Sequence, residues 1–126
     1  KSEPRTAEEI EQSGEEIIIS PDTRRAKRLP PGQSRTKKFP VLDAFGTPKI
    51  DLETWRFEIS GLVENPLSWT LDEFQALETV KVYADFHCVT RWSRLDNVWT
   101  GVSARKLAEM VGVKPEAKFV VAEGYD

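Results

Sequence analysis

The sequence has very little of the side-chain chemistry on which most metal and disulfide sites depend. Its 126 residues include one cysteine, one histidine and one methionine. A single cysteine excludes an internal disulfide and a zinc site built from several cysteines. The longest purely aliphatic run is Ile17-Ile18-Ile19. It is too short for a membrane span of about 20 residues or a signal-peptide core of about 7–15 residues. We therefore expect neither segment in this chain.

The overall charge is also small. The formal net charge is −3, and hydrophobic residues make up 39% of the chain against 31% charged residues. This balance is typical of a globular domain, and the length suffices for one domain with its own core. A slightly acidic chain has no gross electrostatic attraction for nucleic acid or for an anionic membrane.

The first 36 residues differ in amino-acid composition from the rest of the chain. Seven basic residues and no acidic residue lie between Arg24 and Lys38, and Pro30-Pro31-Gly32 interrupts regular structure. Thr6-Ala7-Glu8-Glu9 has the spacing of a capping box and predicts the start of a short helix within this segment. We predict an extended or partly disordered N-terminal arm over residues 1–36 and a folded domain over residues 37–126. One hypothesis is that the arm is solvated and pairs with the acidic segment Glu8–Glu16. The alternative is a basic module that binds nucleic acid, which is less favoured because aromatic residues are not interleaved with the charges.

The remaining patterns predict an α+β fold without an internal repeat. Alternation of apolar and polar residues predicts strands, and capping sequences followed by an apolar stripe predict helices. The expected elements, in order, are a strand at Trp55–Ile59, a helix capped by Thr70, a strand at Val80–Phe86, a loop, a helix after Ser103 that ends at Gly112, and a strand at Lys118–Ala122.

The cysteine and the histidine are adjacent in the stretch DFHCVTRWS, residues 85–93. Cys88 is either an inert buried residue or, because it follows a strand and precedes a polar loop with basic neighbours, a reactive thiolate. A thiolate there would act as a nucleophile or as a soft-metal ligand whose other donors come from elsewhere. A direct pair with His87 is disfavoured, since neighbouring strand residues face opposite sides. His87 is instead expected to be a cofactor hydrogen-bond donor or a structural residue. Trp92 and Trp99 flank this loop and could wall a pocket.

The segment FHCVTRWSRLDNVWTGV, from Phe86 to Val102, resembles the signature of the sulfite-oxidase-type molybdopterin oxidoreductases. The preceding sequence from Pro31 to Phe74 resembles the N-terminal part of that domain. The C-terminal PEAKFVVAEGYD resembles a segment just before the middle of the domain. The resemblance runs from about residue 30 to the end of the chain. The matching sequence is similar to the bacterial sulfite-oxidase-like branch of this family.

This resemblance implies a sulfite-oxidase-type fold, a molybdopterin cofactor and oxygen-atom transfer. Cys88 would be the molybdenum ligand, because the cofactor brings the other sulfurs. It further implies a small oxyanion or S-oxide substrate and a separate electron-transfer partner. The residues that the resemblance places at the cofactor are Phe39, Pro40, Val41, Asp43, Phe86, His87, Thr90 and Arg91.

The chain departs from the family pattern in two ways. Leu42-Asp43-Ala44 stands where true sulfite oxidases carry an arginine- and histidine-containing anion-binding segment. This difference argues against sulfite as the substrate and leaves reduction of an S-oxide such as methionine sulfoxide open as the alternative. The family domain is also longer, so we expect the fold to be incomplete in its C-terminal half and the isolated chain to be inactive and unable to hold the cofactor tightly. Rivals from other classes are the basic binding module with a structural Cys88 and a metal-free thiol enzyme. The expected compartment is the cytoplasm, or the periplasm if an export signal has been removed.

Overall fold

The computed structural model describes residues 6–125, which form two compact units. The first unit contains the described residues up to Leu42 together with Thr79–Gly101, and the second contains Asp43–Glu78 and the residues from Val102 onward. Within the described residues, no helix has the length and apolar character needed to cross a membrane. The mixture of short helices and sheets agrees with the predicted α+β class.

The first unit is a four-stranded sheet built around one hairpin. Strands β5 (Val80–His87) and β6 (Trp92–Gly101) are antiparallel neighbours. The two-residue strands β1 (Ile18–Ile19) and β2 (Ser34–Arg35) extend the sheet in parallel at its two edges, in the order β1-β5-β6-β2. The elements of this unit are α1 (Ala7–Ser13), β1 (Ile18–Ile19), a 3-10 helix (Pro21–Arg24), β2 (Ser34–Arg35), β5 (Val80–His87) and β6 (Trp92–Gly101).

The alternation of side-chain direction along the hairpin determines which side chains are buried in the first unit. Ser93, Leu95 and Asn97 occupy every second position of β6 and are all buried, as the period of two in a strand requires. Tyr83 on β5 is completely buried. Helix α1 begins at the capping box of Thr6 and Glu9 that the sequence predicts.

Ion pairs hold the N-terminal segment on this sheet. Arg28 forms a two-pronged contact with Asp85, whose side chain is only 1% exposed, and its guanidinium also lies 2.7 Å from Asp96. The carboxylate of Asp85 raises the pKa of Arg28 further above its usual value. The expectation that the basic segment pairs with Glu8–Glu16 is met by Arg24, which contacts Glu11, while Arg28 is paired inside the sheet.

The second unit packs two helices against a two-stranded sheet. Its core consists of Trp69, Leu107 and Val111, with half-buried apolar residues around them. The predicted capping box of Thr70 and Glu73 is present, and Gly112 ends the last helix with φ 64°, as predicted. Ser103 occupies the predicted cap position without a side-chain hydrogen bond to the helix. The elements are β3 (Arg56–Ile59), β4 (Leu67–Thr70), α2 (Leu71–Gln75) and α3 (Ala104–Val111).

Two expectations about strands are wrong. Residues 118–122 form no strand, and Phe119, Val120 and Val121 are 82–95% exposed. Their composition favours a strand, but a strand exists only where a neighbouring strand pairs with its backbone. The segment after Cys88, expected to be a loop, is mostly strand β6, because Trp92 and the residues after it pair with β5.

Candidate functional site

Cys88 begins a tight loop at the end of the β5–β6 hairpin. Its N–H donates to the carbonyl of Trp92 at 2.9 Å, and the N–H of Arg91 donates to the Cys88 carbonyl at 3.1 Å. The backbone of Arg91 is left-handed, with φ 67°. A turn followed by one left-handed residue is a common way to close a three-residue hairpin loop. The loop therefore presents Cys88, Val89, Thr90 and Arg91 together at one end of the sheet.

Arg91 stands where glycine or asparagine would be more stable. A left-handed conformation costs an ordinary L-residue about 1–2 kcal/mol, because its Cβ approaches the following carbonyl oxygen. The other non-glycine residue with positive φ among residues 6–125, Asp96, belongs to a residue type that tolerates this region, and it is held by hydrogen bonds. The strain at Arg91 points to a role for its exposed side chain.

The Cys88 thiol is half-buried and surrounded by hydrogen-bond donors. The hydroxyl of Thr90 donates to Sγ at 3.2 Å. This hydrogen bond lowers the pKa of Cys88, and the backbone N–H groups of Thr90 and Val89 lower it further. A lowered thiol pKa increases the thiolate fraction at neutral pH, and the thiolate is the form that binds metals or attacks electrophiles. Cys88 is thus not enclosed in packed hydrocarbon.

His87 and Cys88 do not act as a pair in this structure. The Nδ1 of His87 lies 2.8 Å from the hydroxyl of Ser93, and that hydroxyl also contacts the Gln33 side chain at 2.9 Å. Gln33 in turn donates from Nε2 to the Cys88 carbonyl at 2.9 Å. Hydrogen bonds through Ser93 and Gln33 thus link His87 to the backbone of Cys88.

An aromatic cluster lies on the same hairpin. Phe39 packs edge-on against Phe86, Trp92 and Trp99 with ring centroids 5.6–6.0 Å apart, and Phe86 stacks on Trp92 at 5.5 Å. Arg94 lies over the Phe39 ring at 5.0 Å. Among the described residues, the indole Nε1 of Trp92 is a buried donor that has no hydrogen-bond partner. Buried donors normally find an acceptor, so this one is suited to a ligand that supplies it.

The structure brings most of the predicted site residues into the first unit, in two groups. The first group is the hairpin end, with His87, Cys88, Thr90 and Arg91, and the second is the contact of Phe39 with Phe86. Pro40 and Val41 follow Phe39 in the chain and are exposed. Asp43 belongs to the second unit, where its carboxylate accepts a hydrogen bond from the N–H of Gly46 at 3.0 Å.

The first unit also contains a cluster of three potential metal ligands. Asp22, Asp85 and His87 each place one ligand atom within 4.8 Å of the others. Both oxygens of Asp85 already contact Arg28, and the carboxylate of Asp22 contacts the hydroxyl of Ser20, a contact that lowers the pKa of Asp22. A cation there would have to compete with the Arg28 guanidinium, so this group stabilises the fold and lacks the character of a metal site.

Sequence patterns did not reveal Gln33 and Ser93 as members of the site. Gln33 is 55 positions from Cys88 in the chain, and only the parallel pairing of β2 with β6 brings it to the loop. Ser93 lies within the quoted motif, but its partners depend on the same register. No local signal in the sequence encodes that pairing.

Comparisons with known proteins identify the family of the chain. The family model described as the oxidoreductase molybdopterin-binding domain matches residues 44–126, a range that includes Cys88. The uncharacterized oxidoreductase YuiH of Bacillus subtilis is 43% identical over 95 residues, which cover 75% of this chain and 48% of that protein. No solved structure matches the chain significantly.

Two further relatives have names that state an activity. The putative protein-methionine-sulfoxide reductase subunit YedZ1 of Azospira oryzae is 35% identical over 68% of this chain and 33% of its own length. The protein-methionine-sulfoxide reductase catalytic subunit MsrP of Campylobacter jejuni is 34% identical over 56% of this chain and 24% of its own length. The chain thus spans about half or less of the curated relatives that it matches. Because the family model covers most of the chain, including the hairpin with its single cysteine, the chain belongs to the oxidoreductase molybdopterin-binding domain family.

Proposed function

We propose that the protein is a molybdopterin-dependent oxidoreductase that transfers an oxygen atom, and that Cys88 Sγ is its ligand to molybdenum. The observation that supports this most is the thiol itself. It is the one cysteine of the chain, lies at the hairpin end inside the matched region, and has a pKa lowered by the Thr90 hydroxyl.

The residues present fit such a cofactor. Thiolate is a suitable donor for a soft metal centre, and one protein thiolate suffices where an organic ligand brings further sulfurs. The buried Trp92 Nε1 lacks an acceptor within the described chain, and the hairpin end offers exposed polar groups. When bound, molybdopterin would supply the two-electron redox chemistry.

Each residue of the hairpin end has a definable task in this proposal. Cys88 binds the metal, and Thr90 keeps the sulfur deprotonated and oriented through its 3.2 Å hydrogen bond. Arg91 and His87 provide polar contacts to the cofactor, and Phe39 and Phe86 form an apolar wall. The same proposal assigns cofactor contacts to Pro40, Val41 and Asp43 on the family resemblance alone.

For the substrate we propose an S-oxide that is reduced, with sulfite oxidation as the alternative. Two relatives are named as parts of protein-methionine-sulfoxide reductases, and Leu42-Asp43-Ala44 lacks the cationic side chains that a sulfite anion would require. A separate electron carrier would donate the electrons. The division into an arm at 1–36 and a domain at 37–126, the inactivity of the isolated chain and its cytoplasmic or periplasmic location stay predictions.

Molybdenum content and turnover of the full-length protein test this function. Wild type and the control variant Val89→Ala, which alters an exposed neighbour of Cys88, should contain molybdenum and reduce methionine sulfoxide with a reduced dye. Cys88→Ala should lose turnover and most of the metal. Turnover with sulfite and an oxidised acceptor, but not with the sulfoxide, would reverse the substrate assignment. A matured wild type without molybdenum would contradict the proposed function.

A further inference from the structure

Three hydrogen bonds form a continuous chain from the Cys88 loop to the only histidine. Gln33 Nε2 lies 2.9 Å from the Cys88 carbonyl oxygen, Gln33 Oε1 lies 2.9 Å from Ser93 Oγ, and Ser93 Oγ lies 2.8 Å from His87 Nδ1. Ser93 is completely buried and Gln33 is half-buried, so water is largely excluded from the middle of this chain. Which group donates and which accepts in each of these hydrogen bonds is therefore determined by the protein groups in the chain.

The direction follows from the Cys88 carbonyl, which can only accept. It requires the amide nitrogen of Gln33 on its side and leaves the Gln33 oxygen facing Ser93. That oxygen also only accepts, so the single hydroxyl proton of Ser93 is donated to it. Ser93 Oγ must then accept from the imidazole, which places a proton on His87 Nδ1.

The backbone holds Gln33 firmly enough to impose this order. Its N–H donates to the Pro30 carbonyl at 3.1 Å, and between them Pro31 and Gly32, the latter with φ 77°, have the residue types of a type II turn. The next residue, Ser34, donates its N–H to the Arg91 carbonyl at 2.9 Å. Gln33 is thus fixed between a tight turn and the strand pair that borders the Cys88 loop.

We propose that Gln33 is a positioning residue of the Cys88 site. It holds the carbonyl of Cys88 and, through Ser93, keeps neutral His87 in the form that is protonated at Nδ1, so that Nε2 remains free to accept a hydrogen bond. Since the His87 side chain is exposed, Nε2 would accept from an N–H or O–H group of the bound cofactor. Only this last step rests on the proposed function.

Nitrogen-15 NMR of the full-length protein at about pH 8 measures the tautomer directly. A His87→Asn variant assigns the signal. Wild type should show the Nδ1-protonated form, although free histidine prefers the proton on Nε2. Gln33→Leu and Ser93→Ala should both shift the population toward the Nε2-protonated form. The control Gln75→Leu, which changes a glutamine of α2 in the second unit, should leave the signal unchanged.

Cofactor retention supplies an independent readout. Gln33→Leu should weaken retention of molybdenum by about tenfold, the lower end of the effect expected when the support of a metal ligand is lost. An Nε2-protonated His87 in wild type, or an unchanged tautomer in a folded Gln33→Leu variant, would overturn the proposal. The expected tautomer in a protein that never binds molybdenum would leave the positioning role intact and refute only the proposed function.

Discussion

The hydroxyl of Thr90 donates a hydrogen bond to Cys88 Sγ across 3.2 Å within one three-residue hairpin loop. A hydrogen bond to the charged form of a group favours that form, which is why the pKa of Cys88 is lowered. The loop thus increases the thiolate fraction of Cys88 at a given pH.

Removal of the Thr90 hydroxyl should raise the pKa of Cys88. In full-length protein made without molybdopterin, the rate of alkylation by iodoacetamide should rise with pH at a midpoint below the usual cysteine value of about 8.5. Thr90→Val should move that midpoint upward, and Thr90→Ser should restore it. Thr100→Val, at an exposed position of β6, serves as the control. Equal midpoints for wild type and Thr90→Val would show that the hydroxyl does not stabilise the thiolate.

Relief of the backbone strain at Arg91 should separate stability from function. Arg91→Gly removes the Cβ from a residue with φ 67° and should raise the free energy of unfolding by about 1 kcal/mol. The same change removes a side chain proposed to contact the cofactor, so molybdenum retention should fall. Denaturant unfolding and metal analysis measure the two effects. A variant that gains stability and retains all its molybdenum would exclude Arg91 from the cofactor site.

Loss of Arg28 should strongly destabilise the first unit. Asp85 would be left buried with its charge uncompensated, and breaking a buried pair in this way typically costs about 3–5 kcal/mol. Arg28→Leu should therefore lower the free energy of unfolding by this amount. Arg25→Leu, at an exposed position three residues earlier, should change it by no more than about 0.5 kcal/mol. Similar small effects for both variants would show that the basic segment contributes little to the fold.

Tyr83 should make the protein less stable at high pH. Burial raises the pKa of Tyr83 to about 12, and its hydrogen bond to Asp96 adds to the shift. Between about pH 10 and pH 12 the unfolded phenol releases its proton while the folded one retains it. The folded state then binds more protons, so stability falls as pH rises through this window.

Comparison with Tyr83→Phe isolates this effect. Ultraviolet absorbance should detect the late ionisation in wild type alone, and the pH-dependent loss of stability attributable to residue 83 should vanish in the variant. An ionisation near pH 10 would contradict the buried hydrogen bond to Asp96. That bond also affects Asp96, because burial would raise the pKa of Asp96, whereas hydrogen bonds from Tyr83 and Arg28 lower it.

Local patterns predicted the elements whose signals lie within a few residues. The capping boxes at Thr6 and Thr70 and the end of a helix at Gly112 are confirmed, because each depends on side chains one turn apart. The prediction of a strand at Lys118–Ala122 is wrong for the opposite reason. A strand needs a neighbouring strand to pair with, and the apolar composition of the segment does not show whether one exists.

The candidate site also combines features that a local sequence motif predicts with contacts between residues far apart in the chain. The motif around Cys88 predicted the family, and the family model confirms it. The contact of Phe39 with Phe86 and the support from Gln33 depend on how β2 pairs with β6, which no local pattern specifies. Resemblance to a family therefore singled out the cysteine, whereas the structure was needed to show that Gln33 is hydrogen-bonded to its backbone.

X-ray absorption at the molybdenum edge tests the central claim most directly. The account predicts that the full-length wild-type protein shows one more sulfur neighbour at molybdenum than Cys88→Ser does, with the cofactor sulfurs common to both. An identical sulfur count in the two proteins, with the metal bound in both, would contradict the assignment of Cys88 as the molybdenum ligand.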